Sequence, residues 1–133
     1  MSPPLPGPTR DDAEFWAAAR CGELRFQRCT GCGRFRHYPR PTCPRCLSRD
    51  FAWERSTGRG TVWTWTIVRG PTLPAFESKQ PYNVVDVLME EGVHFVSEVL
   101  HCPPEQIRAG MPVEAVFVAA SDEITLVKFR RAP

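Results

Sequence analysis

Four cysteines set the strongest limit on what this chain can fold into. They form two Cys-x-x-Cys pairs, Cys29/Cys32 and Cys43/Cys46, with ten residues between the pairs. Each pair lets a tight turn aim two sulfurs at one point, and two such turns supply four thiolates in a tetrahedral array. Gly31 and Gly33 ease the first knuckle, where backbone N–H groups must turn towards the sulfurs. The insert is shorter than the commonest four-cysteine spacing but suffices for a short hairpin, with Phe35–Tyr38 as its first strand. Zinc is the expected ion. Iron is the competitor, since sulfur ligation alone does not choose the metal; disulfides or a redox dithiol fit the spacing less well. Four protein ligands leave no open position, so the ion is expected to be structural. It stands in for a core that this segment is too small to build.

The rest of the 133 residues suits one compact unit. Three segments are expected: a Pro-rich arm and helix over 1–22, the ribbon over 23–57 and a β domain over 58–133. Pro3, Pro4, Pro6 and Pro8 predict an extended arm without the basic and apolar regions of a signal peptide. No apolar run approaches the roughly 20 residues of a membrane span. The expected location is therefore the cytoplasm, where thiols stay reduced and paired Cys-x-x-Cys units favour metal. A helix is expected over 11–22. Asp11 and Glu14 would act as a capping box, Phe15, Trp16 and Ala19 form the apolar side, and Gly22 is the stop.

Beyond Ser56 the pattern is all β. The expected strands are 61–68, 82–89, 93–101, 113–119 and 124–130. Glu90-Glu91-Gly92 is a turn and Pro103–Ile107 a helical turn. In the first strand, Trp63, Trp65 and Ile67 should share one face and Val62, Thr64 and Thr66 the other. The stretch 70–81 reads as a long loop. Five strands with one interrupting turn fit a Greek-key barrel of OB type, so the fold class is mainly β: N-terminal helix, rubredoxin-like ribbon, five-stranded barrel.

No catalytic constellation stands out. There is no nucleophile elbow, phosphate loop or dinucleotide pattern. Gly58-Arg59-Gly60 is too short to cradle phosphate and turns the chain into the first barrel strand. His37, His94 and His101 read as structural histidines. Asp86 and Glu98 sit in otherwise apolar strands and could face each other, though outward alternation explains them. Cys21 and Cys102 read as reduced thiols, and His101 and Cys102, adjacent on a strand, would point to opposite faces. Charge is more telling. Eight arginines against three acids give the stretch 23–55 a net charge of +5, which leaves −3 for the rest of a +2 chain. A basic ribbon beside an acidic barrel suits phosphates or an acidic partner. Phe35, Tyr38 and Phe51 interleave with that charge, so nucleic-acid stacking is the alternative function. The modest net charge and acidic barrel argue against it.

Several phrases, in order, carry a resemblance across about 11–130: Phe15-Trp16, Gln27-Arg28-Cys29-x-x-Cys32-Gly33, Tyr38-Pro39-Arg40, Cys43-Pro44-x-Cys46, Gly58-x-Gly60-Thr61-Val62, Pro81-Tyr82 and Gly110-Met111-Pro112-Val113. Together they resemble the zinc-ribbon/OB-fold proteins of acyl-CoA metabolism, long catalogued as a domain of unknown function. The resemblance implies a non-catalytic companion of a thiolase-like enzyme, such as the lipid-transfer-protein-type aldolase of steroid side chains. It would stabilise that partner and help hold or channel an acyl-CoA. A MaoC-like hydratase, where present, would be a separate chain. Candidate partner contacts are Phe15, Trp16, Phe35 and Tyr38. Candidate CoA-phosphate contacts are Arg34, Arg36, Arg40 and Arg59, since arginines bind phosphate as forked donors.

Overall fold

The computed structural model describes residues 2–133. Helix α1 covers Ala13–Arg20, shorter at both ends than expected. Its Asp12 makes no capping bond. Instead the carboxylate accepts from the Thr9 amide (2.5 Å) and hydroxyl (3.0 Å), tying down the arm. The expected stop holds. Gly22 has φ +78°, its N–H reaches Ala19 O and the Glu23 N–H reaches Ala18 O, the paired bonds of a Schellman end. Phe15 and Ala19 turn inward.

The ribbon is a three-stranded antiparallel sheet in the order β2 (Phe35–Arg36), β1 (Arg25–Cys29), β3 (Phe51–Arg55). The expected strand 35–38 shrinks to two residues. Strand β3, which the arginine-rich pattern hid, pairs with β1 from Arg25↔Arg55 to Cys29↔Phe51.

The second sheet has the order β6-β5-β4-β8-β9-β7. Its strands are β4 (Arg59–Val68), β5 (Tyr82–Met89), β6 (His94–Ser97), β7 (Val99–Leu100), β8 (Pro112–Ala119) and β9 (Thr125–Arg131). The expected third strand thus breaks at Glu98. Its first half pairs with β5, and its second half crosses to pair in parallel with β9, which closes the sheet into an OB barrel. Asn83 secures the crossing. Buried on β5, its amide donates to Val99 O (2.9 Å) and accepts from the Val99 N–H (2.8 Å), imitating a strand pair. A short helix α2 (Pro74–Glu77) lies within the expected loop, and a 3-10 turn spans Pro104–Gln106.

One facing expectation fails. A bulge between Val62 and Thr64 throws Trp63 out of register. Val62, Trp65 and Ile67 then lie opposite the inward-facing Val87, Val85 and Asn83. Trp63 turns outward, edge-on to His94 at 5.7 Å. Gly60 is required where β4 crosses β5, because a Cβ there would stand 2.6 Å from Leu88 O and 2.7 Å from Val87 Cγ1.

Helix, ribbon and barrel share one apolar core, which runs from Phe15 and Phe26 through Phe95 to Phe129. The turn at Glu90-Glu91 clamps ribbon to barrel. Glu91 accepts from the Ser56 hydroxyl (2.8 Å) and the Thr57 amide (3.0 Å), and Glu90 accepts from the Thr57 hydroxyl (2.7 Å). The Thr57 hydroxyl, then Arg59, holds the Glu90 carboxyl below its usual range.

Candidate metal centre

The two cysteine pairs form matching knuckles. In the first, the Cys29 N–H bonds to Arg34 O and Cys29 O accepts from the Gly33 N–H, each at 2.8 Å. In the second, the Cys43 N–H bonds to Ser48 O (2.8 Å) and Cys43 O accepts from the Leu47 N–H (3.0 Å). The fourth residue after each leading cysteine sits in the left-handed region: Gly33 at φ +79° and Leu47 at φ +64°. Glycine takes that conformation freely; leucine is strained by it. Gly31 has a different role from Gly33. A side chain there would press on Ser48 Cβ at 3.2 Å and Cys46 Sγ at 3.4 Å, where the knuckles face each other.

All four sulfurs lie within 4.8 Å of one another. Cys29 and Cys46 are 3.5 Å apart, and Cys32 and Cys43 are 3.7 Å apart. Sulfurs bound tetrahedrally at 2.3 Å from a shared ion stand about 3.8 Å apart. The knuckle backbone favours thiolates at the buried pair: N–H groups of Cys46 and Arg45 aimed at Cys43 draw its pKa down to about 6, while at Cys46 the Ser48 N–H is outweighed by the crowding of the other sulfurs, which pushes the thiol up to about 11. Cys29, like Cys43, is lowered, chiefly by the backbone of Cys32. Cys29 and Cys43 are buried while Cys32 and Cys46 reach the surface. The donor set fits one zinc ion closed off by four protein ligands, and the site is structural.

Around this centre the predicted contact residues part company. Arg36 was expected to meet phosphate, yet it is buried and committed internally. Its Nε donates to Gln27 Oε1 and its Nη2 to Arg40 O, both at 2.8 Å, and its guanidinium covers the Phe51 ring at 4.8 Å. The buried Gln27 carbonyl also accepts from the Arg40 amide (2.8 Å), so Arg36 and Gln27 shape the loop that follows β2. Arg34 and Arg40 are exposed. Arg59 is exposed too but lies on the barrel, paired with Glu90 at 3.3 Å. Among the aromatics, Phe15 is only 5% exposed and belongs to the core, not to the outer contact surface expected of it. Phe35 is half-buried beneath Arg28. Trp16 packs edge-on against Phe15, and Tyr38 is 51% exposed. Trp16 and Tyr38 rim a cavity of about 350 Å³ between helix, ribbon and barrel, where the Tyr38 hydroxyl accepts the Val96 N–H at 3.3 Å.

The structural role expected of His37 holds, while Asn83 escaped the sequence reading. His37 is enclosed by Phe15, Phe26 and Tyr38 and stacks on Phe95 with centroids 4.7 Å apart and planes 4° from parallel. Burial lowers its pKa to about 4, so it is a neutral ring of the core. Asn83 did carry a signal, a polar residue at the inward parity of Val85 and Val87. Asp86 and Glu98 do not meet: Asp86 bonds to His94 Nδ1 (2.8 Å), and Glu98 pairs with Lys128. Cys21 is exposed, while Cys102 is buried, and His101 before it sits at φ +54°, outside any strand. No helix among the described residues is long and apolar enough to cross a membrane.

Comparison with known proteins agrees with this architecture. Residues 16–52 match the ChsH2 rubredoxin-like zinc ribbon domain and residues 53–118 the ChsH2 C-terminal OB-fold domain. The alpha subunit of the 3-oxo-4,17-pregnadiene-20-carboxyl-CoA hydratase of Mycobacterium tuberculosis is 33% identical over 88% of this chain. This chain spans about two fifths of the length of the hydratase-named relatives it matches. A DUF35 domain-containing scaffold protein of Methanocaldococcus jannaschii is 34% identical over 68% of this chain and 64% of its own length. A chain in the solved structure of the Ltp2-ChsH2(DUF35) aldolase is 37% identical, with a TM-score of 0.87 over 97% of this chain and 100% of that one.

Proposed function

The chain belongs to the ChsH2 family of zinc-ribbon and OB-fold (DUF35) proteins, and we propose that it serves as a subunit without chemistry of its own in a complex with a thiolase-like aldolase of the Ltp2 type. The complex acts on acyl-CoA thioesters of steroid side chains in the cytoplasm. This subunit stabilises the enzyme and helps to hold the thioester. One observation carries the reading: the match to the aldolase-bound chain runs the whole length of that chain. The relative named as a subunit of a steroid-carboxyl-CoA hydratase supports the substrate class and a MaoC-like hydratase as a further partner. The archaeal relative named as a scaffold supports a non-catalytic role.

In this reading the helix and the zinc ribbon present Trp16 and Tyr38 to the enzyme, Arg34 and Arg40 are free to meet CoA phosphates, and Arg59 would do so by leaving its pairing with Glu90. Arg36 holds the ribbon in shape for them. The test is co-expression with an Ltp2-type protein followed by size-exclusion chromatography. Co-elution at micromolar concentration, with retro-aldol activity only in the joint fraction, is the expected result. Separate elution of the two folded proteins would overturn it.

A further inference from the structure

Nine consecutive residues, Gly60–Val68, carry no charge, and eight of them are β-branched or aromatic. Arg59 and Arg69 flank them. This stretch is β4, and it is only half used. On one side β5 pairs with it along its whole length. On the other side β8 reaches only Arg59–Thr61, after which Met111 O takes the Val62 N–H (3.0 Å) and Val62 O takes the Gly110 N–H (2.7 Å). From Trp63 to Val68 no described residue bonds the open side.

Alternation says which backbone groups are free. The Val96 N–H points away from β5, towards Tyr38, so its cross-strand neighbour Asp86 directs its own backbone groups at β4, opposite Thr64. The next residue, Trp65, and then Ile67 therefore face the open side. Exposed edges of this kind are usually guarded by lysine, proline or an inward charge. Here, among the described residues, the guard between Gly60 and Val68 is the bulge at Trp63. Trp63 and Trp65 are 59% and 38% exposed, against the usual burial of such side chains.

We propose that the open edge of β4 is the strand by which this subunit adds onto an extended segment of its partner, one with an uncharged centre and acidic ends. A second copy fits less well. Antiparallel self-pairing centred on Trp65 sets each Arg69 opposite Thr61, two residues from the other copy's Arg59, and like charges brought that close oppose pairing. Acidic ends would instead meet Arg69, which has no ion pair among the described residues, at one end of the strand and Arg59, beside Glu90, at the other. Main-chain bonds supply the affinity, as in other strand-addition interfaces, and the two indoles cover the joint.

The inference rests on the proposed pairing with an Ltp2-type protein, and hydrogen exchange read by mass spectrometry separates the two. In the complex the amides of Trp65 and Ile67 should exchange at least 10-fold more slowly than in the free chain. Trp65→Pro removes an N–H that no strand of this chain uses and should weaken the complex at least 10-fold. Trp65→Lys, an edge guard of the natural kind, should do the same with the fold intact by circular dichroism. A complex that forms without slowing these amides, and that tolerates Trp65→Lys, overturns this inference and leaves the functional reading standing. Failure of any complex to form overturns both. Protection of β4 in the concentrated free chain, together with a dimer mass, would assign the edge to a second copy and overturn the proposal. Protection on adding oligo-dT would overturn it in favour of nucleic acid.

Discussion

His37 gives the sharpest quantitative test of the packing described here. The imidazole lies among four aromatic rings, and its Nε2 is buried without a hydrogen-bond partner. Burial lowers its pKa from 6.5 to about 4. Between those values the unfolded chain takes up a proton that the folded chain refuses. Stability is therefore full above pH 6.5, falls as the pH drops and levels off below about 4. At 1.36 kcal/mol per unit the whole effect is about 3 kcal/mol, of which about 2 kcal/mol is lost by pH 5. The assay is urea unfolding at pH 7.5 and pH 5.0 with zinc in excess, on the parent and on His37→Phe. Phenylalanine keeps the ring and its stacking on Phe95 but cannot titrate. Protonation of the cysteine ligands weakens zinc binding in both proteins and cancels in the comparison. The parent should lose about 2 kcal/mol more than the variant between the two pH values. Equal losses would show that His37 is not held neutral by the core.

Other outcomes follow from the same structure. Elemental analysis should find one zinc per chain, and Cys43→Ser or chelation should unfold the ribbon, read as lost β-sheet dichroism, because no apolar core of comparable size replaces the metal. Asn83→Leu should cost about 2–3 kcal/mol in urea unfolding, since it orphans the backbone N–H and C=O of Val99 at the strand crossing. Gly60→Ala should destabilise by more than 1 kcal/mol, because Leu88 O is backbone and cannot retreat from the new methyl group. Leu47→Gly should raise the unfolding midpoint slightly by relieving the left-handed strain in the second knuckle, worth about 1 kcal/mol; a drop would show that the exposed leucine has packing to lose.

What the sequence determined by itself was local. The cysteine spacing announced the metal centre, because two tight turns and four sulfurs need only nearby residues to form. Period-two alternation placed the barrel strands, and Gly22 marked the helix end, for the same reason. The tertiary structure decided everything that depends on which segment lies opposite which. Glu98 lies where one strand leaves β5 for β9, a switch that no single-strand pattern records. The bulge at Trp63 moved one indole to the outer face by inserting a residue opposite β5. Arg36 looked like any ribbon arginine until Gln27, Arg40 O and the Phe51 ring closed around it. Phe15 looked like a surface anchor until Phe95 and His37 packed against it. The four cysteines could be read as a zinc site from their spacing alone, but only the fold shows that their ribbon, the helix and the barrel share one core, and that the barrel's longest strand is left with an open edge.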